Sequence, residues 1–269
     1  MTKLPALRRS PIALVVLLLL GLTMTGTAYA AFKPAAPVNP MEQAANASEE
    51  DIETGRKLFL ANCASCHGTN AQGNGTAGPS LVGVGAAAVD FQVSTGRMPL
   101  AEPGVQAPRN ARAVNFSEEE IYQMAAFVHS LGPGPDVPEP EYLDASQGDP
   151  ANGGKLFRTN CAMCHNSSGS GGALTRGKYA PDLMNVTPAH IYEAMQTGPQ
   201  SMPVFNDDNI TPEEKRDVIA FIKDIEEGGS SYGGHSLGSL GPAGDALFVW
   251  TFGIALIIGA AVWLGRKAS

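Results

Sequence analysis

The sequence predicts an all-α protein: two tandem copies of one helical domain, followed by a single membrane-spanning helix. Three observations predict it. One stretch of the chain returns 98 residues later, each copy closes on apolar residues at helical spacing, and a charge-free apolar run lies near the C-terminus. Alternating β-type patterns are scarce. Of the 269 residues, 43% are hydrophobic, which directs attention first to membrane segments.

The first element is N-terminal. Lys3, Arg8 and Arg9 precede the apolar stretch Ile12–Leu22, and Ala28, Tyr29 and Ala30 follow as a small-x-small site. A charged start, a short apolar core and this ending describe a secretory signal peptide over residues 1–30. The alternative is an uncleaved anchor, because Ile12–Ala31 is about long enough to span a bilayer. Arg8 and Arg9 hint at twin-arginine export, but the residues around them do not support it. Residues 31–47 form an N-terminal extension.

The repeat organises the middle of the chain. Gly55, Lys57, Leu58, Phe59, Asn62, Cys63, Ala64, Cys66 and His67 are answered by Gly153, Lys155, Leu156, Phe157, Asn160, Cys161, Ala162, Cys164 and His165. Later landmarks pair in the same order: Pro79 and Leu81 with Pro181 and Leu183, Thr95 and Gly96 with Thr197 and Gly198, Met98 and Pro99 with Met202 and Pro203, Asn115 with Asn209. A period this long means duplicated globular units, at 48–131 and 149–227, rather than a solenoid.

Each copy opens and closes with a helix. Ser48 with Asp51 three residues on starts the first opening helix. Asp149 as N-cap with Pro150 at the first helical position starts the second. The closing helices begin at Ser117 with Glu120 and at Thr211 with Pro212 and Glu214. Ile121, Met124, Ala125 and Val128 recur at helical spacing, as do Val218, Phe221, Ile222 and Ile225, and read as core. Residues 132–148, rich in Pro, Gly and acidic side chains, form a semi-rigid linker. Residues 228–244 are Gly/Ser-rich and read as a tether, whose 17 residues would reach roughly 20–25 Å if freely flexible.

The last element is Ala246–Leu264, 19 residues without a charge, with Trp250 and Trp263 near its ends and Arg266 and Lys267 beyond. That pattern predicts a membrane helix over 245–265 and a cytoplasmic tail at 266–269. Residues 31–244 then lie on the extracytoplasmic face. They carry 13 Lys and Arg against 25 Asp and Glu, a net of −12 with histidine neutral. Such a surface repels phosphate backbones and excludes nucleic acid as a partner class. It could steer a basic partner, or simply keep the surface soluble.

All four cysteines sit in two Cys-x-x-Cys-His motifs, Cys63, Cys66, His67 and Cys161, Cys164, His165. Two thiols at this spacing can form thioethers with two haem vinyl groups, and the adjacent histidine then reaches the iron. Three other readings fit less well. A dithiol oxidoreductase needs no histidine and expects a βαβ context. A zinc site shared by both pairs conflicts with each copy being a complete domain. Structural disulfides leave the paired histidines unexplained. Two covalent haem c groups are therefore expected. Met98 and Met202, each between a Thr-Gly pair and a proline, are the candidate sixth ligands. The alternative is that they fill core gaps, as Met124, Met184 and Met195 are expected to. His129, His190 and His235 have no repeat partner and read as surface or tether histidines.

On these residues both copies resemble class I cytochrome c domains. In that family a proline carbonyl accepts the hydrogen bond of the proximal imidazole, which implies that role for Pro79 and Pro181. The second copy departs by four extra residues between His165 and Pro181, and both His-to-Met intervals are short, implying trimmed, exposed distal loops. The order of parts resembles the dihaem cytochrome cc subunit of actinobacterial cytochrome bcc complexes. That resemblance implies an electron carrier between a Rieske iron-sulfur protein and a haem-copper oxidase, docked on a cytochrome b subunit in a quinol-oxidising, proton-translocating assembly. It implies no quinol site on this chain. The alternatives are a dihaem peroxidase, which needs an open distal position, and a gas sensor or a dihaem subunit of another oxidase. In a cbb3-type oxidase the anchor precedes the haem domains; here the clear one follows them.

Overall fold

The computed structural model describes residues 11–32, 44, 46–100, 102, 104–110, 112, 114–227 and 242–267. Most of the N-terminal extension and residues 228–241 of the tether, His235 included, lie outside the described residues. Pro11–Phe32 forms one helix, α1, of 22 residues, which is a unit by itself.

The first domain is built from helix α2 (Glu49–Asn62), the short α3 (Ala64–His67), α4 (Gly85–Ser94) and α5 (Glu118–Ser130). Each start signal forms as the sequence predicts. The Ser48 side chain accepts from the Asp51 amide, and Ser117 with Glu120 makes a complete capping box. Capping matters because the first amides of a helix have no partner inside it. The second domain repeats the plan with α6 (Pro150–Asn160), α7 (Ala162–His165), α8 (Pro188–Thr197) and α9 (Pro212–Glu227). Asp149 caps α6 through the amides of Ala151 and Asn152. Thr211 and Glu214 exchange side-chain-to-amide bonds at the start of α9.

In both domains the first and last helices cross at a glycine. A Cβ on Gly55 would lie 1.8 Å from the Gln123 carbonyl oxygen, and one on Gly153 would lie 1.8 Å from that of Asp217. No side chain fits there, so the helix backbones touch directly. One turn further on, Phe59 packs on Phe127 with ring centroids 5.2 Å apart, and Phe157 on Phe221 at 5.3 Å. Phe59 and Phe157 are 1% and 0% exposed, and each contributes about 1.5–3 kcal/mol by burial. The remaining core is the predicted one: Ile121, Met124, Ala125 and Val128 in the first domain, Val218 and Ile222 in the second. Met195 is buried and Met184 packs at the edge of the second core.

The structure goes beyond the sequence in three places. The four extra residues before Pro181 form a small antiparallel hairpin, β1 (Gly172–Ala173) with β2 (Tyr179–Ala180). Residues 132–148 are not a bare spacer. The Pro135 carbonyl accepts from the Ala87 amide, Val137 packs on the first core, and two short 3₁₀ turns, Pro140–Tyr142 and Ala145–Gln147, bring Tyr142 and Leu143 onto the second. Its apolar residues are too few to show a period, yet enough to be worth burying. Nor are His129 and His190 surface groups. His129 is half-buried, with Nδ1 3.0 Å from Asp136, and His190 lies inside the contact between α4 and α8.

That contact joins the two domains. The Gln106 side chain bonds both the carbonyl and the amide of Tyr179 at 2.8 and 2.9 Å, the Ala107 amide reaches the Gln200 side chain, and Arg109 reaches the Asn185 carbonyl. The C-terminal run forms α10 (Pro242–Lys267). Its segment Ala246–Lys267 is long and apolar enough to cross a membrane and buries nothing. The Thr251 hydroxyl is satisfied by the Leu247 carbonyl, and the Lys267 ammonium lies 4.6 Å above the Trp263 ring, as suits a helix end at a lipid interface.

Candidate haem sites

Each Cys-x-x-Cys-His motif folds as one helical turn. Helix α2 breaks at Cys63, whose amide still bonds the Phe59 carbonyl, and the amides of Cys66 and His67 then turn back onto the Cys63 carbonyl. Cys161, Cys164 and His165 repeat this arrangement after α6. The turn ends at a positive φ, on Gly68 (78°) in one domain and Asn166 (66°) in the other. Asparagine tolerates that backbone because its side chain bonds locally, here to the Ser167 amide at 2.6 Å.

The loop after each turn brings a proline carbonyl over the histidine. His67 Nδ1 is 2.8 Å from the Pro79 oxygen and His165 Nδ1 is 2.9 Å from that of Pro181. A carbonyl only accepts, so Nδ1 carries the proton and Nε2 keeps its lone pair. Both rings are buried, at 9% and 8% exposure. Burial lowers the pKa of His165 below its ordinary value, partly opposed by the Pro181 bond, and so keeps a neutral imidazole ready to bind metal. The close return of the loop needs Gly78, whose Cβ would lie 2.7 Å from the Cys66 carbonyl oxygen.

All four thiols are free. Burial, reinforced by the neighbouring thiol, pushes Cys63 and Cys161 up to about 11. A dithiol oxidoreductase needs the opposite shift.

In the second domain the predicted residues meet. Cys161, Cys164, His165, Pro181 and Met202 all line one cavity. In the first domain, Cys63 and Met98 pack against one apolar cluster. Met98 and Met202 are half-buried, and Pro99 and Pro203 beside them are exposed, which agrees with short, open distal loops. The Met98–Pro99 peptide bond is cis.

The sequence did not reveal that the first domain walls the second domain's cavity. Phe91, Arg97, Gln106 and Arg109 line it beside Lys178. Arg97 is 8% exposed, and its Nη1 is buried without a hydrogen-bond partner. Burial first, then the charge of Arg109, lowers its pKa. A haem brings an apolar ring and two carboxylates. Apolar walls at Phe157, Val218 and Ile222, a pair of free thiols, a histidine lone pair and a guanidinium stacked on Phe91 with a spare Nη1 donor fit that group. The only trace of Arg97 in the sequence was its place beside Met98, where the second copy has no matching cation.

Residues 52–132 match the family model described as Cytochrome c, and residues 148–222 match Cytochrome C oxidase, cbb3-type, subunit III. Two cytochrome c domains on a chain with a membrane-crossing helix define a membrane-attached c-type cytochrome, an electron-transfer protein whose cofactor is haem c. The chain is 44% identical over 258 residues to the cytochrome bc1 complex cytochrome c subunit of Mycobacterium tuberculosis (strain ATCC 25618 / H37Rv), covering 94% of this chain and 90% of that one. It is 43% identical over 251 residues to the subunit of the same description from Corynebacterium efficiens, covering 87% and 84%. A shorter similarity, 37% over 93 residues, links 31% of the chain to 28% of the Cbb3-type cytochrome c oxidase subunit FixP of Rhizobium meliloti (strain 1021). The chain belongs to the family of cytochrome c subunits of cytochrome bc1 complexes.

Proposed function

We propose that this chain carries two covalent haem c groups and passes single electrons from a Rieske iron-sulfur protein to a terminal haem-copper oxidase, on the extracytoplasmic face of a membrane. The observation that carries this reading is the doubled geometry: a helical turn presenting two free thiols, with its histidine held on a proline carbonyl at 2.8 Å in one domain and 2.9 Å in the other. Cys63 and Cys66 hold the first haem, Cys161 and Cys164 the second. His67 with Met98, and His165 with Met202, would bind the irons, in domains at 48–131 and 149–227.

When bound, haem c supplies a one-electron iron couple. The chain's residues do the rest. The thiols fix the group in place, and Pro79 and Pro181 orient the imidazoles and raise their basicity. Met98 and Met202, as thioether donors, would favour reduced iron and leave no position for outside ligands, which disfavours a peroxidase. No bond is made or broken; the protein sets potentials and distances. In this role the chain is the electron-transfer subunit of a quinol-oxidising respiratory complex, with cytochrome b as its membrane partner and no quinol site of its own.

Similarity to FixP and to the cbb3-type model supports a second reading, a subunit of another oxidase, but it covers 31% of the chain against 94% for the bc1-complex relatives. Purification of the tagged chain from mild detergent tests the assignment. Cytochrome b, the Rieske subunit and haem-copper oxidase subunits are expected to come with it. Recovery with a cbb3-type catalytic subunit instead, or with no respiratory partner, would reject it.

A further inference from the structure

Where α4 meets α8, Asp90 of the first domain faces His190 and Glu193 of the second. One ligand atom from each, two carboxylate oxygens and a ring nitrogen, lie within 4.8 Å of one another. His190 and Glu193 stand three residues apart on α8, the spacing that puts two side chains on one helix face. Asp90 is 9% exposed and Glu193 is fully buried, and both Glu193 carboxylate oxygens lack a hydrogen-bond partner.

Two carboxylates cannot share so dry a site uncompensated. Among the described residues no Lys or Arg forms an ion pair with either one. The Ser94 hydroxyl bonds Asp90 but brings no charge. Arg97 and Arg109 act on His190 through space without pairing with the acids. Burial, then the Asp90 charge and the direct approach of the two carboxyl groups, holds Glu193 well above the ordinary carboxylate range. The site lacks a positive charge, and a bound cation or a shared proton would supply it.

We propose that Asp90, His190 and Glu193 bind one Zn²⁺ ion that pins the two domains together. An imidazole with two carboxylates is a donor set zinc accepts, with a fourth position left for water. Tetrahedral ligands at about 2.0–2.2 Å from zinc lie roughly 3.3–3.6 Å apart, so the cluster closes on the ion by side-chain shifts of about an ångström. Ligands drawn from both domains make the ion a clamp on their contact. The inference uses none of the cysteines, histidines or methionines assigned to haem, although His190 also lines the cavity around His165.

The test uses the full-length, haem-loaded chain in detergent, purified without a metal-affinity tag, stripped with chelator and then given zinc sulfate. Zinc is measured against haem by elemental analysis after removal of free ion. About one zinc per chain is expected for the unmodified protein, with at least a tenfold loss in Glu193→Gln and in Asp90→Asn at unchanged haem content. Zinc should also raise the unfolding temperature of the stripped protein and leave that of Glu193→Gln unmoved. If a variant loses haem through misfolding, calorimetric titration of the unmodified stripped chain decides alone: saturable 1:1 binding supports the site. Absence of saturable uptake by the unmodified chain, or full zinc retention by Glu193→Gln, overturns it and leaves a proton shared between the two acids.

Discussion

At the scale of single residues, position in the repeat carries more information than residue type. Met98 and Met202 share a Pro neighbour and a Thr-Gly approach, whereas Met124 and Met195 share no such context and are buried in the cores. The two groups are chemically identical and differ only in what surrounds them. The repeat also misleads. Lys215 takes the place that Ile121 holds in the first domain, and it is equally buried, with its ammonium paired to Asp207 and 5.1 Å above the Tyr192 ring. A long apolar stem lets lysine stand in for isoleucine when its head finds a partner, which an apolar-period search discards. The methionine assignment yields a direct prediction. In Met98→His or Met202→His the midpoint potential of that one haem should fall while haem content stays level, because imidazole favours ferric iron more than a thioether does. Redox titration followed by absorbance checks it, and an unchanged potential and spectrum would remove that methionine from the ligand set.

At the scale of elements, the helices were legible because capping residues and apolar spacing are local signals. Ser48, Ser117, Asp149 and Thr211 all cap where the sequence places them. The hairpin at Gly172–Ala173 was not legible, since two-residue strands carry no period, and the packing of residues 132–148 was hidden by their Pro and Gly content. The helix crossing was written into the repeat at Gly55 and Gly153, yet only the folded pair of helices gives it meaning. Gly153→Ala places a methyl group 1.8 Å from the Asp217 carbonyl oxygen, so α6 and α9 must separate. Forced overpacking costs about 1–3 kcal/mol or more, which exceeds the small gain alanine brings to a helix over glycine. The variant should unfold at lower urea concentration with an unchanged slope. Equal or greater stability would mean that the crossing is looser than described.

At the scale of the whole molecule, the two domains are not independent beads. The sequence treats each copy as complete, but Arg97, Gln106 and Arg109 of the first domain line the cavity built around His165. Such a contact is invisible in one sequence, because it depends on how two folded surfaces meet rather than on any local pattern. Its electrostatic consequence can be measured. A buried guanidinium that is stacked on Phe91 and has no carboxylate partner acts through a low dielectric, so its charge reaches further than a surface arginine's would. A fixed positive charge near an iron centre disfavours the ferric state and raises the potential. Replacing Arg97 with glutamine keeps most of the volume and removes the charge. In Arg97→Gln the potential of the haem assigned to Cys161 and Cys164 should therefore fall. Met202→His, which acts on that haem alone, identifies which step of the titration belongs to it. If the titration of Arg97→Gln overlays that of the unmodified protein, the first domain does not tune the second domain's haem, and the contact between them serves packing alone.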